Sequence, residues 1–147
     1  MNAGSNAPGI IIVGHGSSQE AAQLAFVEFV RRVASRLGTE HVLPAFCSSA
    51  RPNIADQVAA LQAQGFRRIV LLPYFLYSGR HVTTDIPAVL DQCRQQYPEL
   101  TLELLPSLEN DPALEDVLVQ RLTPLVPPAA ALPADGATLR TTTQHSS

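Results

Sequence analysis

Two of the chain's four histidines sit in surroundings that suit chemistry better than packing. His15 lies between glycines in IIVGHGSS, residues 11–18, and His81 closes YSGRH, residues 77–81, beside a glycine and an arginine. An imidazole with small neighbours is open to a ligand and changes charge near neutrality, so it can bind a borderline divalent metal or accept a proton. Two of them at neighbouring strand ends suit Fe, Co, Ni or Zn, above all where coordination positions stay open for a substrate. His41 opens a strand at the opposite edge of the sheet, where a surface or capping role suffices. His145 falls in a tail without periodicity, where solvation accounts for it.

Hydrophobic periodicity supplies the elements that must position these rings. GIIIV at 9–13 reads as a short strand buried on both faces, preceded by a frayed start at 1–8. From Glu20 to Leu37 apolar residues recur at helical spacing, with Arg31, Arg32 and Arg36 near the carboxyl end and Gly38 as the stop. HVLPAF at 41–46 is a second strand, and Pro44, lacking a donor, argues for an edge position or an irregularity. A helix follows from about Pro52 to Gln64, halted by Gly65, and RRIVLLP forms the third strand. A third helix spans roughly 84–96 with Asp85 as its cap, TLELLP at 101–106 is a fourth strand, and Asp111 opens a helix reaching about Leu122. Strict alternation predicts an α/β fold: an open, mostly parallel four-stranded sheet with helices on both faces and right-handed crossovers. One domain is expected over 1–126, followed by a disordered Pro/Ala/Thr-rich tail at 127–147.

In such a sheet ligands bind beyond the carboxyl ends of the strands. Those ends carry Gly14 to Ser18; Cys47, Ser48, Ser49, Ala50 and Arg51; Tyr77, Ser78, Arg80 and His81; and Ser107, Glu109 and Asn110. GHGSSQ starts like a dinucleotide turn but has Gln19 in place of the third glycine, and Glu40 precedes the second strand instead of ending it. A nucleophile elbow needs serine where His15 stands, so acyl transfer rests only on Ser17 beside His15. A net charge of −3, with ten basic residues scattered along the chain, gives no nucleic-acid surface. Two unpaired cysteines and the lack of a leader before the first strand predict a reduced, cytoplasmic protein. IVLLPYFLY at 69–77 is far shorter than the ~20 residues of a membrane span.

GHGS after the first strand, together with LLPYFLYSGRHVTTDIP after the third, resembles the CbiX and SirB group of class II chelatases over roughly residues 9–125. The second motif is the specific one, joining P-x-F-L, G-R-H and D-I-P at fixed spacing. The resemblance implies insertion of Co2+, Fe2+ or Ni2+, as substrate, into sirohydrochlorin or a close relative, without ATP and without an organic cofactor. It implies His15 and His81 as metal ligands that also accept the pyrrole protons, and a homodimer with the cleft between subunits. Ser17, Ser48, Arg51, Ser78, Gly79 and Arg80 are expected to face the tetrapyrrole, with the arginines pairing its carboxylates. One departure stands out: where many relatives read A-F-x-E, this chain reads AFCS and places Ser48 at the glutamate position. Either Cys47, Glu20, a water held by Ser48 or the macrocycle completes the metal shell, or metal affinity is lower. A protein that carries metal or tetrapyrrole without turnover is the alternative.

Overall fold

In the computed structural model, residues 6–48 and 50–128 are described. Most of the expected tail, and His145 with it, lies outside them, as do Ser49 and most of the expected frayed start. The described residues divide after Asp111 into two compact units.

The first unit holds the whole sheet. Strands β1 (Gly9–Gly14), β2 (Val42–Phe46), β3 (Arg68–Pro73) and β4 (Thr101–Leu104) lie in the order β2-β1-β3-β4, and every pairing is parallel. Ile10 pairs with Val42 on one side and Val70 on the other, so β1 is flanked on both sides, which its unbroken apolar run anticipates. Pro44 sits in β2, at an edge, where its missing donor costs least.

Alternation along β1 sends side chains to two cores. Ile12, with partly buried Ile10, packs with Val30 and Ala34 of α1 (Glu20–Leu37). Ile11 and Val13 pack with Ile54, Val58 and Leu61 of α2 (Ile54–Ala63) and with Ile86, Leu90 and Cys93 of α3 (Ile86–Gln96). Helices therefore cover both faces. Gly38, at φ +71, ends α1, and its N–H bonds the carbonyls of Ala34 and Ser35. Asn53 opens α2 through a capping box with Asp56. Leu61 is fully buried beneath β1, its methyls filling the space over Gly9. Leu61→Ala is expected to lower stability by about 2–5 kcal/mol, read from the urea midpoint.

In the second unit, α4 (Pro112–Leu122) runs into a 3-10 turn at Thr123–Leu125, and neither contains a buried residue.

Candidate metal and tetrapyrrole site

The order of the strands decides what meets at the carboxyl edge. Since β1 lies between β2 and β3, the segments after those three strands are neighbours, and they carry His15, Cys47–Ser48 and His81. The two imidazoles stand with ring centroids 4.7 Å apart, nearly perpendicular at 86°. Phe75 backs both, at 6.4 Å from His15 and 6.2 Å from His81.

His15 is exposed, and its Nδ1 donates to the Gly16 carbonyl at 2.9 Å. A carbonyl only accepts, so the neutral ring carries its proton on Nδ1 and its lone pair on Nε2. The ring's backbone is held from below by the β2–α2 segment. Cys47 N–H bonds the Gly14 carbonyl, while the Ser48 N–H, the Ser48 hydroxyl (2.7 Å) and the Cys47 thiol all converge on the His15 carbonyl. Ser48 thus acts on the main chain, with its hydroxyl spent on a carbonyl. Ser48→Ala is expected to cost about 0.5–1.5 kcal/mol in denaturation experiments. Ser48→Glu, which restores a hard oxygen ligand, is expected to tighten Co2+ binding in calorimetric titration.

The glycines of GHGSS have a local reason. A Cβ on Gly14 would meet the Phe26 ring at 2.8 Å, and one on Gly16, at φ +97, would meet the Ser48 carbonyl oxygen at 2.8 Å. Close approach of protein to protein therefore accounts for both.

His81 stands at the head of a π turn, His81–Asp85, that runs straight into α3. Asp85 does not cap the helix as the sequence suggests: its backbone is already helical and its side chain makes no capping bond. The turn starts four residues earlier, and the carboxylate turns back instead, placing Oδ2 2.9 Å from His81 Nδ1. The contact is close without being a directed hydrogen bond, and buried Nδ1 has no other polar partner. No hydrogen bond among the described residues occupies Nε2 of either histidine.

A cleft of about 350 Å³ opens beside the pair, lined by residues 46–48, 50, 51 and 53–55 and by Asp85, Ile86, Val89 and Gln92. The histidines adjoin it through Cys47, Ser48 and Asp85. Burial pushes the Cys47 thiol up from its ordinary value, its backbone hydrogen bond pulls it down, and the Asp85 charge adds a smaller push upward. The group stays a protonated thiol at neutral pH, which is the weaker metal-binding form. Among the described residues no cluster of three or more His, Cys, Asp or Glu side chains is arranged to hold a metal.

The other expected contacts divide into two groups. Arg51 lines the cleft with 81% of its side chain exposed and only a 3.8 Å approach to Asp56, so its guanidinium is free to pair an incoming anion. Arg80 is exposed just before the π turn. Ser17, by contrast, is engaged locally: its hydroxyl accepts from Gln19 N–H and its carbonyl from the Gln23 amide. Ser78 is tied toward β4, its N–H to Glu109 and its hydroxyl to Ser107, and the Gly79 carbonyl accepts from the π turn. Of the residues that meet here, the sequence hides Phe75 and offers Asp85 first as a helix cap and only second as a carboxylate for the metal. Phe75 carried no polar signal, whereas the four-residue spacing of His81 and Asp85 was visible.

A family model described as CbiX matches residues 9–125, and the chain belongs to that family. It is 34% identical over 117 residues to the chloroplastic sirohydrochlorin ferrochelatase of Arabidopsis thaliana, a match covering 80% of this chain and 52% of the plant protein. The sirohydrochlorin chelatase SirB from Bacillus subtilis subspecies spizizenii, solved in complex with cobalt, superposes with a TM-score of 0.72 at 22% identity, over 79% of this chain and 50% of that one. A CbiX protein from Marinobacter aquaeolei VT8 gives 0.66 at 25% identity, over 78% of this chain and 97% of that one. The chain spans about half the length of the plant and Bacillus proteins. These likenesses establish an open α/β fold with an all-parallel four-stranded sheet.

Proposed function

We propose that the protein inserts a divalent metal, Co2+, Fe2+ or Ni2+, into sirohydrochlorin or a close relative, without ATP. The observation that carries this reading is the pair of imidazoles brought to 4.7 Å at the carboxyl edge, each with Nε2 unoccupied. Relatives named for sirohydrochlorin iron insertion and a neighbour solved with cobalt support it.

The chemistry asks for both properties of this site. As the metal enters, two pyrrole N–H protons leave, so the protein must release its hold on the ion while accepting protons. Two neutral imidazoles bind a divalent ion less firmly than a closed four-ligand site, and each Nε2 can take a proton once the metal has moved to the macrocycle nitrogens. In this reading the exposed Arg51 and Arg80 pair carboxylate arms of the substrate. Ser17, Ser78 and Gly79 contribute through the loop conformations they fix. Half the length of the plant and Bacillus chelatases supplies one wall for a flat ligand; in our reading a second copy of the chain supplies the other, in a cytoplasmic homodimer.

The test is anaerobic incubation of purified protein with sirohydrochlorin and each metal, following the visible spectrum. Metal insertion faster than in the protein-free control is the expected result. A rate equal to that control for all three metals overturns the proposal, and tetrapyrrole binding without insertion makes the protein a carrier.

A further inference from the structure

We infer that Asp85 is a positioning residue that fixes the tautomer of His81, holding the proton on Nδ1 so that the Nε2 lone pair faces the site. The inference rests on the reading of His81 as a functional ligand, and deepens it.

Three observations carry it. The carboxylate oxygen lies 2.9 Å from Nδ1, close enough that its negative charge favours a proton on that nitrogen over a lone pair. The Nδ1 atom is sealed from water with no hydrogen-bond partner, so Asp85 is the group able to decide which nitrogen holds the proton. The backbone is built for the contact: the π turn, closed by the Ile86 N–H onto the His81 carbonyl, puts the histidine and its carboxylate on one turn. Inserted π turns recur at functional sites because they re-aim side chains in this manner.

Metal-binding histidines commonly engage a carboxylate or carbonyl through their second nitrogen, which sets ring orientation and ligand basicity. His15 uses the Gly16 carbonyl for this; His81 has Asp85. Asp85 and Nδ1 share no directed hydrogen bond in the free protein, and their contact is expected to shorten into one when Nε2 takes a metal or a proton.

The test reads the ring itself. In ¹⁵N-labelled full-length protein without metal or substrate, the Nδ1 and Nε2 shifts of His81 are expected to report the Nδ1–H tautomer. Asp85→Ala is expected to move them toward the Nε2–H form, and Asp85→Glu to restore them in part. The same Asp85→Ala protein is expected to bind Co2+ about 10–100-fold more weakly. Unchanged His81 shifts in Asp85→Ala overturn the inference, as does an Nε2–H tautomer in the wild type. These shifts need no tetrapyrrole, so they stand apart from the insertion assay: failure of insertion with the expected tautomer change would strike the proposed function alone. Asp85 is partly exposed, and circular dichroism of the variant checks that the fold is kept.

Discussion

Replacing His81 with alanine is expected to slow metal insertion by about 10²–10⁴-fold, the range for losing a group that moves protons in the transition state. Two losses combine. The variant retains one imidazole of the pair, and among the described residues no cluster of three or more His, Cys, Asp or Glu stands ready to hold the ion instead. It also leaves Asp85 facing a space formerly closed by a ring, so a carboxylate is exposed to the metal without its partner. His15→Ala is expected to lose a similar factor, and the double variant little more than either single one, because groups acting as a unit are not additive. The measurement is kcat and the metal KM for all three proteins. Additive losses would show that the rings act separately, although their centroids stand only 4.7 Å apart.

Gly16→Ala carries the second large effect, and it involves no functional side chain. At φ +97 the new methyl adopts a conformation costing about 1–3 kcal/mol. It also lands 2.8 Å from the Ser48 carbonyl oxygen, which is backbone and cannot swing away. The β1–α1 and β2–α2 segments must then separate, and the bonds from Ser48 to the His15 carbonyl are the ones stretched. A displacement of about 1 Å at a reacting group is enough to cost ~10²-fold in rate, and that loss of kcat is the expected outcome. Gly65→Ala is the control. It bears similar strain, at φ +93, but meets nothing within 4 Å and lies at the far end of α2. Its stability is expected to fall while its kcat holds. Equal loss of kcat in both variants would show that stability, not the geometry of His15, governs the rate.

Much of this arrangement is legible in the residues. The unbroken GIIIV, the periodicity of 20–37 and Pro44 in β2 locate the central strand, the first helix and the sheet edge, because each reflects burial or a missing donor. The pairing of His15 with His81 also follows, given strand ends on one edge. The start of α3 does not. Asp85 before Ile-Pro has the look of a cap, yet the helical path begins at His81 through a π turn, whose bonding pattern has no side-chain signature. The glycines of GHGSS mislead in the same way: they seem to clear room for a ligand, but the atoms they admit are Phe26 and Ser48, contacts that depend on tertiary packing. Likewise Ser48 looks like a weakened ligand when read along the chain, and becomes a tie to the His15 carbonyl only when β2 lies against β1.

The middle position of β1 has a consequence for how the protein is made. The chain is synthesised from its amino end, and His15 leaves the ribosome with the first strand, long before His81. Pairing with β2 can follow early, tying Ser48 under His15, but the other flank of β1 stays open until β3 has emerged and docked. A nascent chain therefore holds His15 on a half-built sheet without His81 beside it. Long-range parallel pairing is slow to form, so the two rings meet only once the core around Ile69 and Leu71 has closed. The strand order thus makes the meeting of the two imidazoles a late event in the folding of each new molecule.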